Sequence, residues 1–146
     1  DTYPDLVIKV AEITAASDEA AAALKAAEHR LADMAVLIKN VTTYKHFRPV
    51  ALEYRNAKDK AKFRCEHESA LILYEAAAKA LKEQGVKKLP DLYALKAEYK
   101  RLAEEKERLY ERYSEAKKQM QEYGIIKQNV DGILRVTPGK EWSQEL

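Results

Sequence analysis

Seven cations and four aromatic rings crowd the stretch from Tyr44 to Arg64, and this is the part of the chain whose residue types could do chemistry. Lys45, Arg48, Arg55, Lys58, Lys60, Lys62 and Arg64 stand against Glu53 and Asp59, a local charge of +5 in a chain whose net charge is +2. Tyr44, Phe47, Tyr54 and Phe63 interleave with them. Cations that pair with phosphates and rings that stack on bases are the two components of a nucleic-acid surface. These seven residues are therefore the candidate DNA-binding set. The same pattern also fits a solvated tip whose rings turn inward.

Other chemistries find little support. His29, His46 and His67 lie in different segments, and no two share the three- or four-residue spacing that puts two ligands on one helical face. No Glu stands three residues before any of them, so the Glu-x-x-His unit of di-iron bundles is missing. Cys65 and His67, two apart, point to nearly opposite sides of a helix. No Ser or Cys comes with a readable base, and no glycine-rich phosphate loop occurs. The expectation is no catalytic residue, no metal and no cofactor.

The elements that must position the basic stretch are long helices. Leu92, Leu95, Tyr99, Leu102, Lys106, Leu109, Tyr113, Ala116, Met120, Tyr123, Lys127, Val130 and Leu134 alternate by three and four residues, the seam of one continuous helix. At 1.5 Å per residue it is roughly 64 Å long and needs a partner of similar length. Leu6, Val10, Ile13, Ser17, Ala20, Leu24, Ala27, Leu31, Met34, Ile38, Val41 and Lys45 repeat the alternation and supply one. Tyr3-Pro4-Asp5 opens this first helix, and Arg48-Pro49 is expected to end it.

A short helix over Pro49 to about Ala57 and a longer one over Lys60–Gln84 are expected to follow, the latter carrying Phe63, His67, Ala70, Tyr74, Ala77 and Leu81, widened by Leu71, Ile72 and Leu73. Gly85 should close it in a Schellman turn with Leu81 and Val86, and Pro90-Asp91 should start the last helix. Leu95, Tyr99 and Leu102 are expected in the core beside the apolar run Met34–Ile38. Thr137-Pro138-Gly139 should break the helix.

The fold expected is all-α: an elongated antiparallel coiled-coil hairpin of two long helices, with a helical head built by inserted shorter helices. One domain over 1–135 is read as a stalk, 6–27 with 109–134, and a head over 31–102; 136–146 is read as a flexible tail. A single cysteine fits a reducing cytoplasm, and no apolar run or leader pattern suggests membrane insertion. The start at Asp1 rather than Met suggests a fragment of a longer protein.

Several phrases resemble the C-terminal region of relaxase/mobilization nucleases of conjugative and mobilizable elements of Gram-positive bacteria. They are Leu31-Ala32-Asp33-Met34-Ala35-Val36-Leu37; Glu66-His67-Glu68 leading through Leu71–Leu73 to Glu75-Ala76-Ala77-Ala78-Lys79-Ala80; Gly85-Val86-Lys87-Lys88-Leu89-Pro90; and Lys127-Gln128-Asn129-Val130-Asp131 with Ile133-Leu134. The resemblance implies a parent that nicks DNA with a tyrosine near its N-terminus and a metal held by a histidine cluster. No residue of this chain matches either motif, so the resemblance implies a noncatalytic accessory region. Its expected partners are DNA near an origin of transfer, or relaxosome and transfer-machinery proteins, with the chain a monomer or homodimer. The alternative is a structural or dimerising coiled-coil module that binds no nucleic acid.

Overall fold

The computed structural model describes the backbone of residues 2–145 and the side chains of residues 2–134. The chain is all-α, a helical hairpin in which α1 (Tyr3–Asn56) packs against α4 (Leu92–Glu145), with α2 (Lys60–Glu66) and α3 (Glu68–Glu83) between them in sequence. No strand occurs among the described residues.

Helix starts follow from capping chemistry. Thr2 Oγ1 accepts from the Asp5 N–H at 3.3 Å while the Thr2 N–H donates to Asp5 Oδ2 at 3.3 Å, a reciprocal capping box ahead of α1. Asp59 caps α2 through the Lys62 N–H at 3.1 Å, and Asp91 caps α4 through the Ala94 N–H at 3.1 Å. At the end of α3, Gly85 has φ +78°, the Val86 N–H donates to the Leu81 carbonyl and the Gly85 N–H to the Lys82 carbonyl, both at 3.0 Å. That pair of bonds is the Schellman turn expected from Gly85.

Three expected boundaries are corrected. Pro49 does not end the first helix: α1 runs through it to Asn56, absorbing the separate short helix expected there. The missing proline N–H deprives only the Lys45 carbonyl, and Lys45 and Pro49 are both exposed, so water can satisfy that group. Tyr54, farther along, is half-buried and gains a ring partner in Phe63 that rewards continuing the helix. The single helix expected over 60–84 is instead two, because His67 leaves helical geometry at φ −124°, ψ 28°. Its ring lies 4.3 Å from that of Phe63. At the far end, α4 is helical past Thr137-Pro138-Gly139 to Glu145. Side chains from residue 135 on, and with them the flexible tail expected over 136–146, lie outside the described residues.

The chain divides into two compact units, residues 1–28 with 104–146, and residues 29–103. In the first, a two-helix unit, α1 and α4 run antiparallel: the Tyr3 hydroxyl donates to Asp131, which also takes Lys127 Nζ at 2.8 Å. Its seam buries Ile13, Ser17, Leu24 and Ala27. The second is a four-helix unit, formed by the rest of α1, α2, α3 and the start of α4. Leu31, Val41, Leu71, Ala77, Leu81 and Leu102 are its core, with Val41 at 0% and Leu71 at 1% exposure. Tyr99, expected in this core, is 37% exposed, and Val36, Ile72 and Leu73 are about half exposed. On α3, Ile72 and Leu73 point away from the middle of the Leu71–Ala77–Leu81 stripe, which leaves them in solvent.

Candidate nucleic-acid interface

The seven candidate cations all belong to the four-helix unit, at the C-terminal end of α1, the turn after it, and α2. Six of them, Lys45, Arg48, Arg55, Lys58, Lys60 and Lys62, are exposed, and Arg64 is half-buried. They are not equivalent. Arg64 forms a two-pronged ion pair with Glu75, at 3.0 and 2.8 Å, and its guanidinium lies 5.8 Å from the Tyr54 ring centre. That pairing, with the Tyr54 hydroxyl, raises the Arg64 guanidinium above its usual value, and the Arg64 hydrogen bond holds the Glu75 carboxyl below its own. Lys60 donates to the Arg55 carbonyl at 3.2 Å, satisfying an acceptor at the end of α1. Arg64 and Lys60 thus serve the fold of this end.

The rings are also occupied. Tyr44 stacks on Tyr74 with centroids 4.8 Å apart, Tyr54 on Phe63 at 6.0 Å, and Phe63 meets His67 at 4.3 Å. Phe47 makes an edge contact with His46 at 4.6 Å. Three of the four rings, Tyr44, Tyr54 and Phe63, are thus faced by another ring, so of the two components expected here the stacking one is largely spent within the protein.

What stays outward is a set of cations. Lys45, Arg48, Arg55, Lys58 and Lys62 have no carboxylate within ion-pair reach among the described residues. Arg48 and Arg55 also share a stripe with Tyr44. At 100° per residue, positions 44, 48, 51 and 55 fall within about 60° of one another on α1. This is the continuation of the apolar seam through Val41, which changes from aliphatic to aromatic and cationic as it leaves the core. Burial raises the Tyr74 phenol above its ordinary value, Tyr44 adds to the effect, and Arg48 and Arg55 oppose it. Tyr74 was expected on the apolar seam of the 60–84 helix; the register that sets it beside Tyr44 and the two arginines is fixed by how α3 packs on α1 and not by the residues around it.

Among the described residues no three His, Cys, Asp or Glu side chains group to hold a metal ion, and no helix is long and apolar enough to cross a membrane. The two-helix unit has a groove of its own, lined by Tyr3, Leu6, Lys9, Tyr123, Ile126 and Val130. It lacks a cluster of cations.

No family model, curated protein or solved structure matches this chain.

Proposed function

We propose that this chain is a noncatalytic helical accessory region of a DNA-nicking relaxase/mobilization protein, binding the phosphate backbone of DNA through the basic end of the four-helix unit. The observation that carries the reading is the group of five exposed cations, Lys45, Arg48, Arg55, Lys58 and Lys62, without carboxylate partners among the described residues. The whole four-helix unit adds to it, with 16 Lys and Arg against 9 Asp and Glu. Such a surface gains affinity by displacing counterions from phosphates and carries little base information. Because its rings are engaged with each other, duplex is favoured over single strand.

The test is binding of a duplex and of a single strand of the same length over a salt series. Duplex binding is expected to weaken with a log–log slope of about −0.9 per phosphate contacted. The combined variant Lys45→Gln, Arg48→Gln, Arg55→Gln, Lys58→Gln, Lys62→Gln should abolish it. Absence of binding at low salt overturns the reading.

A second reading, a dimerising module without nucleic-acid binding, is favoured by apolar side chains left in solvent on the two-helix unit: Ile8 at 57%, Ile125 at 59% and Ile133 at 62% exposure. Sedimentation equilibrium decides it. A dimer dissociated by Ile125→Lys with Ile133→Lys, in a chain that ignores DNA, would replace the first reading.

A further inference from the structure

A charged surface that merely attracts polyanions needs only lysines on long arms, scattered in any order. One part of this end is more ordered than that. Arg48 and Arg55 lie two helical turns apart, about 10.5 Å along α1, on the stripe that begins with Tyr44. Tyr44 is fixed by its 4.8 Å stack on Tyr74, whose own helix is anchored by buried Leu71 and Ala77 on either side of it in sequence. Two flexible guanidinium arms thus rise from one rigid helix face beside two phenols whose rings are already clamped. Neither arginine is claimed by a carboxylate among the described residues, whereas Arg64, a short distance along the chain, is.

We infer that Tyr44, Arg48, Arg55 and Tyr74 form a phosphate-binding site that takes a backbone phosphodiester of duplex nucleic acid. This rests on the function proposed above and names the residues that grip. Guanidinium forks match the geometry of phosphate oxygens two at a time, which an ammonium cannot do. The Tyr44–Tyr74 pair, linked through its hydroxyls, leaves one phenol O–H to donate at the rim, and its rings need not move to do so. Lys58 and Lys62 then contribute long-range attraction without fixing the position of the strand. Burial raises the Tyr74 phenol and a hydrogen bond with the Tyr44 hydroxyl raises it further, so the two phenols stand at the rim as a linked pair.

The experiment uses the full chain, followed by the NMR signals of the arginine side chains and tyrosine rings during titration with a duplex, and separately with inorganic phosphate against chloride at matched ionic strength. Duplex affinity is measured in parallel for three double variants. Arg48→Gln with Arg55→Gln is expected to weaken it about 100-fold, corresponding to about tenfold for each charged hydrogen-bonding group lost. Arg48→Lys with Arg55→Lys keeps the charge and loses the fork, and should weaken it about tenfold. Lys58→Gln with Lys62→Gln should cost about threefold.

Full affinity in the lysine variant, or equal losses in the two glutamine variants, overturns the site and leaves nucleic-acid binding by a diffuse patch. If phosphate moves the Arg48, Arg55 and Tyr74 signals while no duplex binds, the phosphate site stands and the function proposed above falls. Motion of neither set of signals overturns both. The titration of the unaltered chain gives these last outcomes even if a variant fails to fold.

Discussion

Val41 and Leu71 of the four-helix unit are almost wholly enclosed, whereas among the described residues the two-helix unit reaches comparable depth only at Ala27, a side chain of one methyl. Its larger seam residues, Ile13 and Leu24, retain 6% and 8% exposure, and along α4 Leu109, Tyr113, Met120 and Tyr123 are half-buried. Two cylinders touch along a line, so a side chain between them is covered from one direction; a third helix is needed to close the other side. Charge divides the same way. The four-helix unit has 16 Lys and Arg against 9 Asp and Glu, and the two-helix unit 10 against 15. The deeper core thus lies in the unit that also holds the uncompensated cations, and its packing can offset their mutual repulsion.

The strongest attempt to break this contrast is a pair of core truncations read by urea unfolding. Leu71→Ala should destabilise by about 3 kcal/mol, because it removes a fully enclosed side chain and leaves a cavity. Leu109→Ala, at a half-buried position of the two-helix unit, should cost about 1 kcal/mol. Equal losses would mean that enclosure by a third helix adds nothing. A pair of glycine substitutions tests the backbone instead. Gly85→Ala forces an L-residue to φ +78° with no steric contact to relieve, and should destabilise by about 1 kcal/mol. Gly124 sits inside α4 with open space where a Cβ would go, so Gly124→Ala should stabilise by about 0.8 kcal/mol.

The smallest effect expected is one of pH. The Glu75 carboxyl is held below its ordinary value of 4.5 by Arg64, so its contribution is complete above that value and is lost as pH falls through the lower folded-state value. Unfolding curves of the unaltered chain and of Glu75→Gln should differ at neutral pH and converge on acidification. A difference that persists well below pH 4.5 would assign the effect to packing and not to the ion pair.

Much of the architecture was legible because helices declare themselves locally. The three–four alternation of α1 and α4 marks a buried seam at Ile13, Leu24, Leu31, Val41 and Leu102, and Gly85, Asp91 and Tyr3-Pro4-Asp5 mark ends through capping chemistry that needs no distant partner. The errors have a common origin. Pro49 was read by its local preference, yet its ring faces water while Tyr54 on a later turn gains a stacking partner from α2. His67 has no breaker beside it, and the break there accompanies contacts with Phe63. The basic stretch was legible as charge but not as a site. Nothing local distinguishes Arg64, which Glu75 claims from another helix, from Arg48 and Arg55, which stay outward beside Tyr74.

The division of the chain also bears on its synthesis. The four-helix unit is one unbroken stretch, residues 29–103, whereas the two-helix unit joins residues 1–28 to residues 104–146. As the polypeptide leaves the ribosome, the residues of the four-helix unit are complete while the partner of the first 28 is still being translated. Ile13 and Leu24 therefore emerge before the α4 residues that cover them. Helix pairing in the two-helix unit closes a loop formed by residues 29–103, and the entropy cost of that closure is smaller once those residues are folded.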